Sequence, residues 1–194
     1  MRITTIGVIG AGALGRGIAC TAAVSGYQVV LEDASVHALT EALGDIKQAL
    51  IEASAIGKMG AERDDSVLAR IATAHSVHDV CRRAHLIIEA VAEEMEMKLE
   101  LFSIFDKFAK PGAILATSSR SLSITEMAEM TFCPENCIGL RFGEPVLTTN
   151  RLEIIRAPMT SDATVDTCVE FGRRIGKDVF LIREHEKPGR MHSR

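Results

Sequence analysis

The sequence predicts an α/β protein built on a doubly wound, mostly parallel sheet. Three observations carry this. Short apolar, β-branched runs alternate with longer amphipathic stretches, the pattern of strands whose crossover helices cover both faces of a parallel sheet. A glycine-rich turn joins the first such run to the first helical stretch. At 194 residues, with 47% hydrophobic and 25% charged residues, the chain has the length and composition of one globular domain with a full core. Disordered, collagen-like and rod-like coiled-coil chains are thereby excluded.

Ile3 to Ile9 reads as a buried strand, Ala13 to Ser25 as a helix stopped by Gly26, and Tyr27 to Leu31 as a second strand. Ser35 caps a long helical stretch in which Leu39, Leu43, Ile46 and Leu50 recur at spacings of three and four. That helix is expected to end near Gly57 to Gly60, with a shorter one over Asp65 to Ile71; together they make a helical insertion over about 35–74. Leu86 to Ala90 is a strong strand and Glu94 to Phe108 a helix. Lys110-Pro111-Gly112 turns into the strand Ala113 to Thr117, and Ile124 to Met130 is a short helix. Cys137 to Phe142 and Leu152 to Ile155 are strands. Thr160-Ser161-Asp162 caps a helix reaching about Ile175, and Lys177 to Ile182 is the last strand. The domain is read as residues 1–184, followed by a polar tail, 185–194, that is expected to fray.

Gly10-Ala11-Gly12-Ala13-Leu14-Gly15 follows the first strand and opens the first helix. This is the frame of a Rossmann-type phosphate loop. Gly10 serves the tight turn, Gly12 lets the backbone approach a pyrophosphate, and Gly15 packs the helix against the strand. The pyrophosphate would sit at the helix N-terminus, on free N–H groups and the positive end of the dipole. The second strand ends in Leu31-Glu32-Asp33, and an acid about 20 residues beyond the glycines takes the adenosine ribose hydroxyls. Ala34 and Ser35 follow, with no Arg for a 2′-phosphate, so NAD is favoured over NADP. Asp33 or Ser35 can cap the next helix as well, and the two roles are compatible.

The net charge of -4 and 4% aromatic content argue against nucleic acid as a partner. No apolar run reaches the about 20 residues of a membrane span, and the N-terminus lacks a signal-peptide pattern, so a cytoplasmic location is expected. The five Cys are odd in number and not spaced as CxxC, consistent with small buried hydrophobes in a reducing compartment. His75-Ser76-Val77-His78 has no Cys or acid at metal-ligand spacing and reads as a surface turn; no metal site is expected. Met95, Met97, Met127 and Met130 read as core or groove fillers. Ser118-Ser119 makes no hydrolase triad with the distant His residues.

More residues add to this pattern. They include Arg16-Gly17-Ile18-Ala19, Gly57-Lys58-Met59, Arg70-Ile71, Ile88-Glu89-Ala90-Val91-Ala92-Glu93 with Lys98, and Ile114-Leu115-Ala116. Ser121-Leu122-Ser123-Ile124, Ile138-Gly139-Leu140, Leu152-Glu153-Ile154-Ile155 and Gly176-Lys177 complete them. Together they resemble the NAD-binding domain of the 3-hydroxyacyl-CoA dehydrogenases, 3-hydroxybutyryl-CoA dehydrogenases included, over essentially the whole chain. The resemblance implies that Ala90, Glu93 and Lys98 line the cofactor site. It also implies that the helical insertion contacts a CoA moiety; Lys58 is a weak candidate for a phosphate contact there, an ordinary surface Lys being the favoured reading.

The same resemblance exposes departures. The family's His-Phe-Phe-Asn-Pro motif reads Arg141-Phe142-Gly143-Glu144-Pro145, so Arg141 stands where a His takes the hydroxyl proton. Arg stays protonated and cannot act as that base, and none of the six His lies between His85 and His185. The partner Glu survives as Glu153, for which a salt bridge to Arg141 is expected. The substrate-contacting Ser becomes Arg120, and the nicotinamide-side Asn becomes Ser118. The closing motif reads Pro188-Gly189-Arg190-Met191-His192-Ser193-Arg194, after which the family continues into a dimerising helical domain. The changes add charge to loops that would face that domain, as a domain alone in water would need. Two histories fit, a degenerate natural homologue or an excised engineered domain, and the clustering leans to the second.

The functional expectation is therefore a monomeric NAD-binding domain with impaired or absent oxidation of 3-hydroxyacyl-CoA thioesters. One alternative is an oxidoreductase on a carboxylate-bearing 3-hydroxy substrate held by Arg120 and Arg141, with Glu144 or Glu153 as base. Another is a non-enzymatic scaffold.

Overall fold

The structure is a computed structural model that describes residues 2–55 and 64–184. Its strands are β1 (Thr5–Ile9), β2 (Gln28–Glu32), β3 (Ile71–Ala74), β4 (Leu86–Glu89), β5 (Ile114–Thr117), β6 (Cys137–Phe142), β7 (Arg151–Arg156) and β8 (Asp178–Arg183). They form one eight-stranded sheet in the order β3-β2-β1-β4-β5-β6-β7-β8. Every pairing is parallel except β6 with β7. The helices are α1 (Ala13–Val24), α2 (Val36–Ala55), α3 (Asp64–Leu68), α4 (Val77–Arg83), α5 (Met95–Phe108), α6 (Ile124–Ala128) and α7 (Asp162–Arg174).

β4 and β5 are buried at every residue, as parallel strands covered on both faces must be. On one face Ile18 of α1, Leu39 and Ile46 of α2, Val67 of α3 and Phe171 of α7 pack into a single apolar cluster. On the other, Val80 of α4, Phe102 and Phe105 of α5 and Met127 of α6 form the second. The helix ends follow local chemistry. Gly26 takes φ 86° beyond α1, where a Cβ would be strained, and Tyr27 N–H closes on Ala22 O at 3.1 Å. Ser35 Oγ accepts Ala38 N–H at 3.2 Å to start α2, and Ser161 Oγ accepts Thr164 N–H at 3.2 Å to start α7.

Three sequence expectations need correction here. Ile71–Ala74, read as the end of the helical insertion, is the edge strand β3, paired parallel to β2. His75 to His78 is not a free turn: Ser76 precedes α4, whose seven residues bury Val80 and Cys81 against the sheet. Met97 and Met130 are exposed, whereas Met127 fills the core as expected. Four of the five Cys are buried, and burial pushes Cys81 and Cys137 up to about 12. The helix end near Gly57 to Gly60, Lys58, and the tail with Arg190 and Arg194 lie outside the described residues.

The strand order reverses between β1 and β4, and there the carboxyl ends of the parallel strands leave a crevice for ligands. β7 runs back against β6, so its start (Arg151 to Glu153) arrives at that same edge.

Candidate dinucleotide-binding and active site

The glycine loop has the geometry a diphosphate needs. Gly10 takes φ 102°, and a Cβ there would lie 2.7 Å from Ala90 O. Gly15 touches the loop itself: a Cβ would lie 1.8 Å from Gly10 O. Gly12 is the reverse case, because nothing lies within 4 Å of where its Cβ would stand. That open space sits directly before α1, where Gly12 is the N-cap and no side chain caps the helix. The first N–H groups of the helix, at Ala13 and Leu14, are thus left for an anion.

Asp33 closes the other end of this seat. Its Oδ2 accepts Ala11 N–H at 2.9 Å and its Oδ1 accepts Ser35 N–H at 2.8 Å. Each carboxylate oxygen keeps a second lone pair for ribose hydroxyls. Asp33 thus buttresses the glycine loop, and Ser35 caps α2.

Glu32, the preceding residue, is buried at the end of β2. Burial, and then the charge of Asp33, push its carboxyl up from 4.5 to about 7. A folded-state value above the unfolded one means stability is full below about pH 4.5 and falls as pH rises through about 7. At about 1.36 kcal/mol per unit the loss is on the order of 3 kcal/mol by pH 8. Urea unfolding is expected to show Glu32→Gln more stable than the parent at pH 8 and little different at pH 4.5. Equal stability of the two chains at pH 8 would refute this.

Behind the crevice lies a buried ionic network. Lys98, on α5, and Glu89, at the end of β4, both have fully buried side chains. Lys98 Nζ donates to both Glu89 oxygens at 2.7 Å. Val91 N–H donates to Glu89 Oε1 and Thr117 Oγ to Oε2, each at 2.7 Å. Lys98 also lies 3.5 Å from Glu93 Oε2. Oε1 of Glu93 receives Ser119 Oγ at 2.6 Å, Arg120 N–H at 2.8 Å, Ser121 N–H at 3.0 Å and Ser121 Oγ at 3.1 Å. Burial alone would raise the Glu93 carboxyl; these hydrogen bonds outweigh it and hold it at about 2. Glu93 therefore ties the turn after β5 to the loop after β4. Lys98 does not face solvent; it stands behind Glu93. Ala90 and Ser118 are buried at the ends of β4 and β5, Ala90 against Gly10.

The replaced positions meet at the same edge. Arg120 and Glu144 form an ion pair with each other. Arg141 Nε donates to Ser119 O at 2.8 Å. The salt bridge expected between Arg141 and Glu153 is not formed, although the two residues stand directly opposite in the antiparallel register. Glu153 is instead taken by Arg151, through Nε at 2.9 Å and Nη2 at 2.6 Å. Residues two apart on a strand share a face, which puts Arg151 beside Glu153 on its own strand. Glu89, Thr117 and Ser119 were missed as site residues. The signal was an acid closing an all-apolar strand, which demands a buried cation. Among the described residues no cluster of His, Cys, Asp and Glu could hold a metal ion.

A parallel sheet with a glycine loop at its reversal point is the frame of a dinucleotide-binding domain. Residues 5–185 match the family model of the 3-hydroxyacyl-CoA dehydrogenase NAD-binding domain. The chain belongs to that family, and its dinucleotide is NAD. It is 37% identical over 182 residues to a 3-hydroxybutyryl-CoA dehydrogenase of Bradyrhizobium diazoefficiens, covering 94% of this chain and 62% of that protein. It is 35% identical over 175 residues to the human mitochondrial hydroxyacyl-coenzyme A dehydrogenase, covering 88% of this chain and 56% of that one. The crystal structure of 3-hydroxybutyryl-CoA dehydrogenase from Escherichia coli K12 superposes with a TM-score of 0.90 at 33% identity, over 94% of this chain and 39% of that one. The chain thus spans less than two thirds of the length of these relatives. Among the described residues no helix is long and apolar enough to cross a membrane.

Proposed function

We propose that this domain binds NAD across the β1–β4 reversal and does not by itself oxidise 3-hydroxyacyl-CoA at an appreciable rate. The observation that carries this is the arrangement of the replaced residues. Arg141 is tied to the Ser119 carbonyl, and Arg120 and Glu144 neutralise one another, where the family resemblance implies a His base and its Ser and Asn helpers. For the cofactor, Gly12 to Leu14 would hold the diphosphate and Asp33 the adenosine ribose. Glu93 and Ser118 would face the nicotinamide half. Lys98 is a positioning residue, acting through Glu93 and Glu89. NAD, when bound, supplies the hydride acceptor. At position 141 the neutral base is replaced by an arginine, which stays protonated and cannot take up the hydroxyl proton.

A cleft of about 420 Å³ runs beside the glycine loop, between Ala13 and Arg16 of α1, Asp45 and Ala49 of α2, and Glu144 and Leu147 after β6. It continues into a second space of about 460 Å³ reaching Lys177. Thr21 lines the second space, and its Oγ has no hydrogen-bond partner among the described residues. We propose that this groove takes the acyl-CoA arm of a thioester ligand.

The test is a titration of NADH, followed by its own emission because the chain has no Trp and a single Tyr, together with an assay on 3-hydroxybutyryl-CoA. Saturable NADH binding is expected, with turnover lower than that of an intact relative by at least the about 10²–10⁴-fold that a positioned base supplies. No NADH binding at millimolar concentration would overturn the cofactor half. Turnover within tenfold of a relative would overturn the catalytic half.

A further inference from the structure

We propose that Arg141 is the anchor of a small-carboxylate subsite at the carboxyl end of β6. Its ligand would be a short oxo- or hydroxy-carboxylate, held end-on by the two terminal nitrogens of the guanidinium. The placement beside the nicotinamide rests on the cofactor reading above; the anion site itself does not.

Arg141 is half-buried between Leu140 and Phe142, both buried, on an inner strand of the sheet. Its one side-chain hydrogen bond to a described residue spends Nε on the Ser119 carbonyl, which carries no charge. Glu153, its register partner, is taken by Arg151, and Glu144 by Arg120. Glu93 is spent on the 119–121 turn and Lys98. The guanidinium is therefore half-buried and in no ion pair with a described residue, an arrangement in which a bound anion would be favourable. Fixing Nε to a carbonyl also fixes the plane of the group. The Nη1/Nη2 edge that is left matches the two oxygens of a carboxylate, and Arg forms such bidentate pairs where Lys cannot.

Charge and geometry together choose the ligand class. One guanidinium end offers one positive charge and a planar fork, suited to a monoanion with two coplanar oxygens. A phosphate dianion would call for more donors than Arg141 supplies once Arg120 is paired with Glu144. The sequence offers Arg120 and Arg141 jointly as one alternative for holding a carboxylate; with Arg120 paired to Glu144, the role falls to Arg141.

The test titrates the 194-residue chain with acetoacetate by calorimetry, with and without saturating NADH, using acetoacetamide as the neutral isostere and inorganic phosphate as the competing anion. Acetoacetate is expected to bind saturably in the millimolar range, at least tenfold tighter than acetoacetamide and tighter than phosphate. Arg141→Gln is expected to lose at least tenfold. Arg151→Gln, which leaves Arg141 intact, is expected to weaken acetoacetate severalfold, because the released Glu153 carboxylate then competes for Arg141. That exposed substitution decides the matter if Arg141→Gln does not fold. The subsite is overturned if acetoacetate fails to saturate, if the amide or phosphate binds as tightly, or if both variants bind like the parent. If NADH does not bind while acetoacetate still saturates, the cofactor reading falls and the subsite stands.

Discussion

Replacing Lys98 with methionine is expected to destabilise the domain by about 3–5 kcal/mol, the typical cost of stranding one partner of a buried ion pair. The side chains of Lys98 and Glu89 are fully buried, so water cannot take the place of the missing ammonium. Glu89 would keep Val91 N–H and Thr117 Oγ and lose the only cation among its described partners. The double variant Lys98→Met with Glu89→Leu tests the cause. It removes the stranded charge and is expected to recover much of the loss, as apolar replacements of buried pairs often do. Urea denaturation of the parent, Lys98→Met and the double variant measures this. A Lys98→Met chain within 1 kcal/mol of the parent would show that the pair is not holding the edge together.

Replacing Gly15 with valine is expected to abolish NADH binding and to cost several kcal/mol of stability. Even the first carbon of the side chain would lie 1.8 Å from the Gly10 carbonyl oxygen. Backbone must move to admit it, because the obstacle is a main-chain carbonyl and not the end of a flexible side chain. Overpacking that merely forces side chains aside costs about 1–3 kcal/mol; here the loop and the first turn of α1 separate as well. Gly12→Ala is the informative contrast. Its Cβ would meet nothing within 4 Å, so the apo domain should keep its melting temperature while the methyl stands in the diphosphate seat. NADH titration and thermal melting together distinguish the two: Gly15→Val loses both, Gly12→Ala loses affinity alone. Unchanged NADH affinity in Gly12→Ala would move the diphosphate elsewhere.

The parallel core and the glycine loop were legible because each is written locally. β-branched apolar runs, helical spacing and the three loop glycines need no tertiary information. β3 was not legible: Ile71–Ala74 is four residues long, half-exposed on its edge and continuous with a helical stretch. Its strand character comes from pairing with β2, which no local pattern announces. The pairing of Glu153 shows a subtler limit. Arg141 is the neighbour of Glu153 across the ladder, yet the expected salt bridge is not formed, because Arg151 reaches the carboxylate from two residues away. The Arg120–Glu144 pair joins two loops that share no periodicity, so only the folded chain brings it together.

The two ion pairs at this edge also differ in how freely a lineage could exchange them. Arg120 and Glu144 both lie at the surface, where such a pair is worth about 0–1 kcal/mol. Either can change before the other, and the step between is shallow. Glu89 and Lys98 offer no such route, since each single step passes through a stranded interior charge. The outer ring of the site is therefore open to drift and re-tasking, while the ionic floor beneath it can change only by a simultaneous double step.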